Sequence, residues 1–141
     1  MGRMSTKYRV QNPKNNEIVE SFDFITDDEL ETALATANDT FKQWREKSFE
    51  ERAEVLRKVA TLFDEQRAEL TRIIAEEMGK SVKEGDGEIN DVVEIFNYYA
   101  DNGAEFGADE EIPNQRGGTS VMRKVPLGVI LGIMPWNFPY Y

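Results

Sequence analysis

Asn137 stands between two prolines, in Pro135-Trp136-Asn137-Phe138-Pro139, within a chain of 141 residues. Its side-chain amide offers two N–H donors that do not titrate, which suits an oxyanion that forms only in passing. Losing one such donor costs about 3–4 kcal/mol of transition-state stabilisation, roughly a hundred- to thousandfold in rate. The other reading is an asparagine that satisfies its own turn, a role this residue type fills readily. The spacing leaves both open.

The competing motifs are weaker. Gly79-Lys80-Ser81 matches the end of a phosphate-binding loop, but Ile74 occupies the position of its first glycine and a helical pattern precedes it. Gly85-Asp86-Gly87 is a fragment of a dinucleotide fingerprint, with Asn90 where the third glycine belongs. Asn38-Asp39-Thr40 fits a glycosylation acceptor but falls inside a helical pattern. Asp27, Asp28, Glu29, Glu50 and Glu51 fall in first helical turns, where carboxylates cap and complement the helix dipole. Asp109-Glu110-Glu111 reads as a solvated loop, and Phe96, Tyr98 and Tyr99 as core at helical spacing. The chain contains no cysteine and no histidine. It therefore carries no disulfide, thiol nucleophile, imidazole base or Cys/His metal cluster, and no metal site is expected.

The element that must position Asn137 is the apolar run at 129–134, bounded by Gly128 and Pro135. No polar residue alternates within it, so it reads as a strand buried on both faces, as in a parallel sheet. Pro135 cannot donate to a ladder and ends the strand, while Pro139 biases Phe138 to extended geometry. Asn137 is thereby expected in a stiff loop at the carboxyl end of a strand, where open α/β sheets place ligands.

Upstream, residues 8–24 read as a small hairpin or meander around the turn cluster Asn12-Pro13-Lys14-Asn15-Asn16. Thr26-Asp27-Asp28-Glu29 is a capping box, and the helix it opens carries Leu30, Leu34, Ala37, Phe41 and Trp44 as one apolar stripe. A second box, Ser48-Phe49-Glu50-Glu51, opens a helix lined by Val55, Leu56, Val59, Leu62 and Phe63. The phase resets at 64–66, and Leu70, Ile73, Ile74 and Met78 form a third stripe that Gly79 stops. A longer helix over about 82–106 turns Ile89, Val92, Val93, Phe96, Tyr99, Ala100 and Gly103 inward. Its Gly85 and Gly87 each weaken it by roughly 1 kcal/mol relative to alanine. Residues 107–118 read as a loop, and 119–125 as a half-exposed strand.

A chain of this length makes one domain with a real core. Its formal net charge of −10 argues against a nucleic-acid partner or an anionic membrane surface. There is no apolar run of spanning length, and the opening residues lack a signal segment, so a cytoplasmic location is the expectation.

These residues carry a family resemblance. Pro126-Leu-Gly-Val-Ile-Leu-Gly-Ile-Met134 leading into Pro135-Trp136-Asn137-Phe138-Pro139 resembles the signature of the aldehyde dehydrogenase superfamily, and Gly-Ile-Met-Pro-Trp-Asn-Phe-Pro-Tyr is similar to its succinate-semialdehyde dehydrogenase branch. Asn12-Pro13, Glu77-Met-Gly-Lys-Ser81, Glu88 and Phe96-x-Tyr98-Tyr99-Ala100 agree with it, so the resemblance covers essentially the whole chain. It implies the N-terminal part of an α/β fold. Residues 1–117 would form the hairpin and helical layer, 118–126 a strand of an oligomerisation sheet, and 127–141 the first strand of a Rossmann-like nucleotide-binding sheet with its Pro-Trp-Asn loop. It implies oxidation of a small aldehyde to the acid with NAD or NADP, in a homo-oligomer. A cysteine thiolate attacks the carbonyl, hydride leaves to the nicotinamide, and a glutamate activates water. Asn137 would be the oxyanion-hole amide; Ile133, Met134, Pro135 and Trp136 would line the nicotinamide-ribose side of the cofactor cleft. The nucleophilic cysteine, the water-activating glutamate, the ribose-binding lysine and the glycine turn under the pyrophosphate have no match in these residues. This chain alone is expected to be inactive and to self-associate. The rival expectation is a non-catalytic partner that joins a longer relative through the strand near Val121.

Overall fold

The computed structural model describes residues 8–115 and 117–141, and in them four helices and two short antiparallel ribbons. Residues 1–7, read above as lacking a signal segment, lie outside the described residues. β1 (Tyr8–Gln11) pairs with β2 (Ile18–Phe22), with Tyr8 opposite Phe22 and a bulge between Val10 and Gln11. The Asn cluster makes the turn: Asn12 Oδ1 accepts from the Lys14 N–H at 2.9 Å, and Asn16 takes φ 62°. Asparagine tolerates that left-handed conformation better than most residues.

Helix boundaries follow local chemistry. α1 (Asp27–Trp44) and α2 (Phe49–Glu65) each open on the expected capping box, Thr26 with Glu29 and Ser48 with Glu51. In each box the glutamate accepts from the cap N–H, and this bond first of all holds its carboxyl below the usual carboxylate range. α3 (Arg67–Met78) follows the break at Gln66 and ends on Gly79 at φ 77°. α4 (Val82–Phe106) opens on Ser81, whose hydroxyl accepts from the Glu84 N–H.

The core is a three-helix layer in which α4 packs on α2 and α3. Ala53 and Ala60 of α2, Ile74 of α3, and Ile89, Val92 and Ala100 of α4 are buried there. Gly85 explains itself at this seam. A Cβ on it would lie 2.8 Å from Ile74 Cγ2, so the glycine lets α3 and α4 close on each other. Gly107 is similar, with the Phe49 ring in the space its side chain would fill.

Four expectations change. Tyr98 and Tyr99, expected in the core, are each 55% exposed, and Tyr99 meets Tyr98 and Phe106 edge-on on the outer face of α4. The α1 stripe buries nothing fully: Leu30, Leu34 and Trp44 are exposed, because no other element of the described chain packs on α1 extensively. Within the expected loop at 107–118 lies β3 (Glu110–Ile112), antiparallel to β4 (Ser120–Met122), with Glu111 opposite Val121. Ion pairs from Asp109 to Arg123 and from Glu110 to Lys124 flank that ribbon, so these acidic residues are not a free loop. Finally, the run at 129–134 forms no strand, and Leu131 and Ile133 are 86% and 85% exposed. A strand needs a neighbour to pair its backbone, and among the described residues none lies beside it.

Candidate functional site

The Pro135–Pro139 segment is a turn docked on the helical layer. Pro135 O accepts from the Phe138 N–H at 3.3 Å, closing a tight turn whose two central residues are Trp136 and Asn137. Asn137 is exposed, and among the described residues its side chain makes no hydrogen bond. The amide is thus not consumed by its own turn and is open to solvent. Trp136 is 80% exposed. Trp136, Pro139 and Tyr140 form one wall of an open cleft; Arg9, Ile73, Glu77 and Met78 form the other. Asn137 is not among the residues lining it.

What fixes the turn lies just after it. Glu88, on the buried face of α4, has a side chain with no solvent exposure. Its Oε1 accepts the backbone N–H groups of Tyr140 at 2.7 Å and Tyr141 at 3.2 Å. Its Oε2 pairs with Lys80 Nζ at 2.5 Å. Lys80, only 9% exposed, also places its ammonium 3.8 Å from the centre of the Phe138 ring, a cation–π contact. The Tyr140 hydroxyl donates to Leu70 O at 3.0 Å, and its ring meets Phe63 edge-on at 5.9 Å. Burial, and then the negative charges of Glu77, Glu88 and Glu69, push the Tyr140 phenol above its ordinary value, which keeps it a donor.

Lys80 thus has a task other than phosphate binding. It is committed to Glu88 and Phe138, while Ser81 and Glu84 occupy the start of α4, which supports rejecting the phosphate-loop motif. Sequence reading singled out Asn137 and the residues before it but gave Glu88 no task. The available signal was a glutamate in phase with Ile89, Val92 and Ala100 on the inward face of α4. A charge on a buried stripe demands a partner. No group of His, Cys, Asp and Glu that could hold a metal occurs among the described residues, and none of their helices is long and apolar enough to cross a membrane.

The model of the aldehyde dehydrogenase family matches residues 2–141, and the chain belongs to that family. Among its relatives, the succinate-semialdehyde dehydrogenase (NADP+) of Deinococcus radiodurans is 35% identical over 139 residues, covering 99% of this chain and 29% of the relative. A probable succinate-semialdehyde dehydrogenase (NADP+) of Synechocystis is 35% identical over 92% of this chain and 28% of its own length. The crystal structure of succinic semialdehyde dehydrogenase from Streptococcus pyogenes, in complex with NADP+, superposes with a TM-score of 0.90 at 36% identity. It covers 95% of this chain and 30% of that one. The chain therefore spans under a third of the length of these relatives and has the fold of their N-terminal portion.

Proposed function

We propose that this chain is the N-terminal segment of an NADP-dependent aldehyde dehydrogenase that oxidises succinate semialdehyde, with Asn137 as its oxyanion donor. The observation that carries the reading is the free amide of Asn137, open to solvent on a turn locked at its far end. The names of the relatives above support NADP over NAD and succinate semialdehyde over other aldehydes.

In the mechanism, Asn137 donates an N–H to the carbonyl oxygen as negative charge gathers there, and the turn's rigidity means that the donor need not reorganise. Ile133, Met134, Pro135 and Trp136 would flank the nicotinamide-ribose. Their exposed apolar side chains fit one wall of such a site. The nicotinamide ring, when bound, supplies the two-electron acceptor. A thiolate must come from outside these residues, since they include no cysteine. The β3–β4 ribbon leaves Val121 and Met122 exposed, the surface a homo-oligomer would extend.

The test is NADP reduction driven by succinate semialdehyde, measured for the whole reading frame that contains this segment and for the 141-residue chain alone. The expected result is turnover by the first and none by the second. Turnover by the chain alone would overturn the assignment of the nucleophile. No aldehyde-driven reduction by the whole frame would overturn the activity.

A further inference from the structure

We propose that Glu88 is a positioning residue that holds the Asn137 turn in register, with Lys80 as its counter-charge; the kinetic part of this inference rests on the oxyanion role proposed above. The chemistry of the pocket around Glu88 singles out a carboxylate. Among the described residues three donors converge on it and no acceptor does: the N–H groups of Tyr140 and Tyr141 on one oxygen, the Lys80 ammonium on the other. A glutamine there would have to aim its NH2 at one of those donors.

The geometry ties this carboxylate to Asn137. Lys80 grips Phe138, the residue after Asn137, while Glu88 fixes the backbone two and three residues beyond that. The turn hydrogen bond from Phe138 to Pro135 then transmits the anchoring across Asn137 itself. Glu88 touches no open cleft and is fully covered, so it acts through the turn and not on a substrate. A buried ion pair adds little to stability beyond what a well-packed apolar pair would. Its value here is directional, because a charge-assisted bond to two successive backbone N–H groups sets where the chain goes.

The experiment compares wild type, E88Q, N137A and the E88Q/N137A double variant. Hydrogen exchange at the Tyr140 and Tyr141 amides reads the positioning without any need for turnover. E88Q is expected to speed it about tenfold more than exchange in the α2–α4 core, because a neutral acceptor is roughly half as strong as a charged one; the core itself loosens as well, since Lys80 loses its counter-charge. In the whole reading frame, E88Q is expected to lower kcat at unchanged KM for NADP, and to cost nothing further in the N137A background. Exchange at both amides that rises no more than exchange in the core overturns the positioning role, whatever the activity. A cost of E88Q that persists in full beside N137A shows that it acts elsewhere and overturns the link to Asn137. If wild type itself is inactive, the functional reading fails while the exchange result still decides the anchoring.

Discussion

Tyr140 joins the end of the turn to α3 through one phenolic hydrogen bond, to Leu70 O. Tyr140→Phe keeps the ring contact with Phe63 and removes only that bond. It is expected to cost about 1 kcal/mol, read as a lower denaturation midpoint at unchanged slope. Burial of the phenol, and then the charges of Glu77, Glu88 and Glu69, set an alkaline signature. The fold raises the phenol above its ordinary value of 10.0, so this stabilisation is fully present below that pH and is lost as pH rises through the higher folded value. Chemical denaturation across that range should show a decline in wild type that Tyr140→Phe lacks. That Asn137 sits in a loop was legible in the sequence because Pro135 fixes its own backbone and Pro139 restricts Phe138, a local effect. Glu88 was not, because its partners at Tyr140 and Tyr141 lie 52 and 53 positions away and only the folded chain brings them together.

Helices follow the same division between local and distant causes. Both capping boxes, the break before α3 and the Gly79 stop are written within a few residues, and each forms where the sequence places it. The boxes make a pH prediction. Glu29 and Glu51 titrate below their ordinary value of 4.5 in the fold, so their support is present above that value and is lost as pH falls through the lowered one. Melts followed by circular dichroism should show a shallower acid-side decline for E29Q/E51Q than for wild type. Gly85 is the opposite case. Helix propensity alone favours alanine by roughly 1 kcal/mol. The 2.8 Å approach of Ile74 makes Gly85→Ala an overpacking change, expected to destabilise by about 1–3 kcal/mol. A gain in stability would show that the seam relaxes freely. β3 escaped sequence reading because three residues, two of them glutamates, make no strand pattern; pairing with β4 makes the strand.

Across the molecule, uncovered apolar side chains run over the β1–β2 hairpin, the α1 stripe and residues 127–136. Leu127, Leu131, Ile133 and Trp136 form an exposed series far more apolar than a settled monomer surface. Apolarity at 129–134 could be read as burial, but sequence pattern does not say which neighbouring strands supply it. The chain spans under a third of its relatives' length, and the described residues hold no such neighbour. Studied alone at micromolar concentration, the chain is expected to self-associate, and light scattering should report a mass well above 16.2 kDa. A sharp monomer peak with a cooperative melt would mean that these faces are covered by some internal rearrangement. The most direct test is the kcat of N137A in the whole reading frame, at saturating aldehyde and NADP. A fall of roughly a hundred- to thousandfold at unchanged affinity for NADP is predicted for an oxyanion donor. A kcat within about threefold of wild type would contradict it, since one lost donor costs several kcal/mol wherever it meets developing charge.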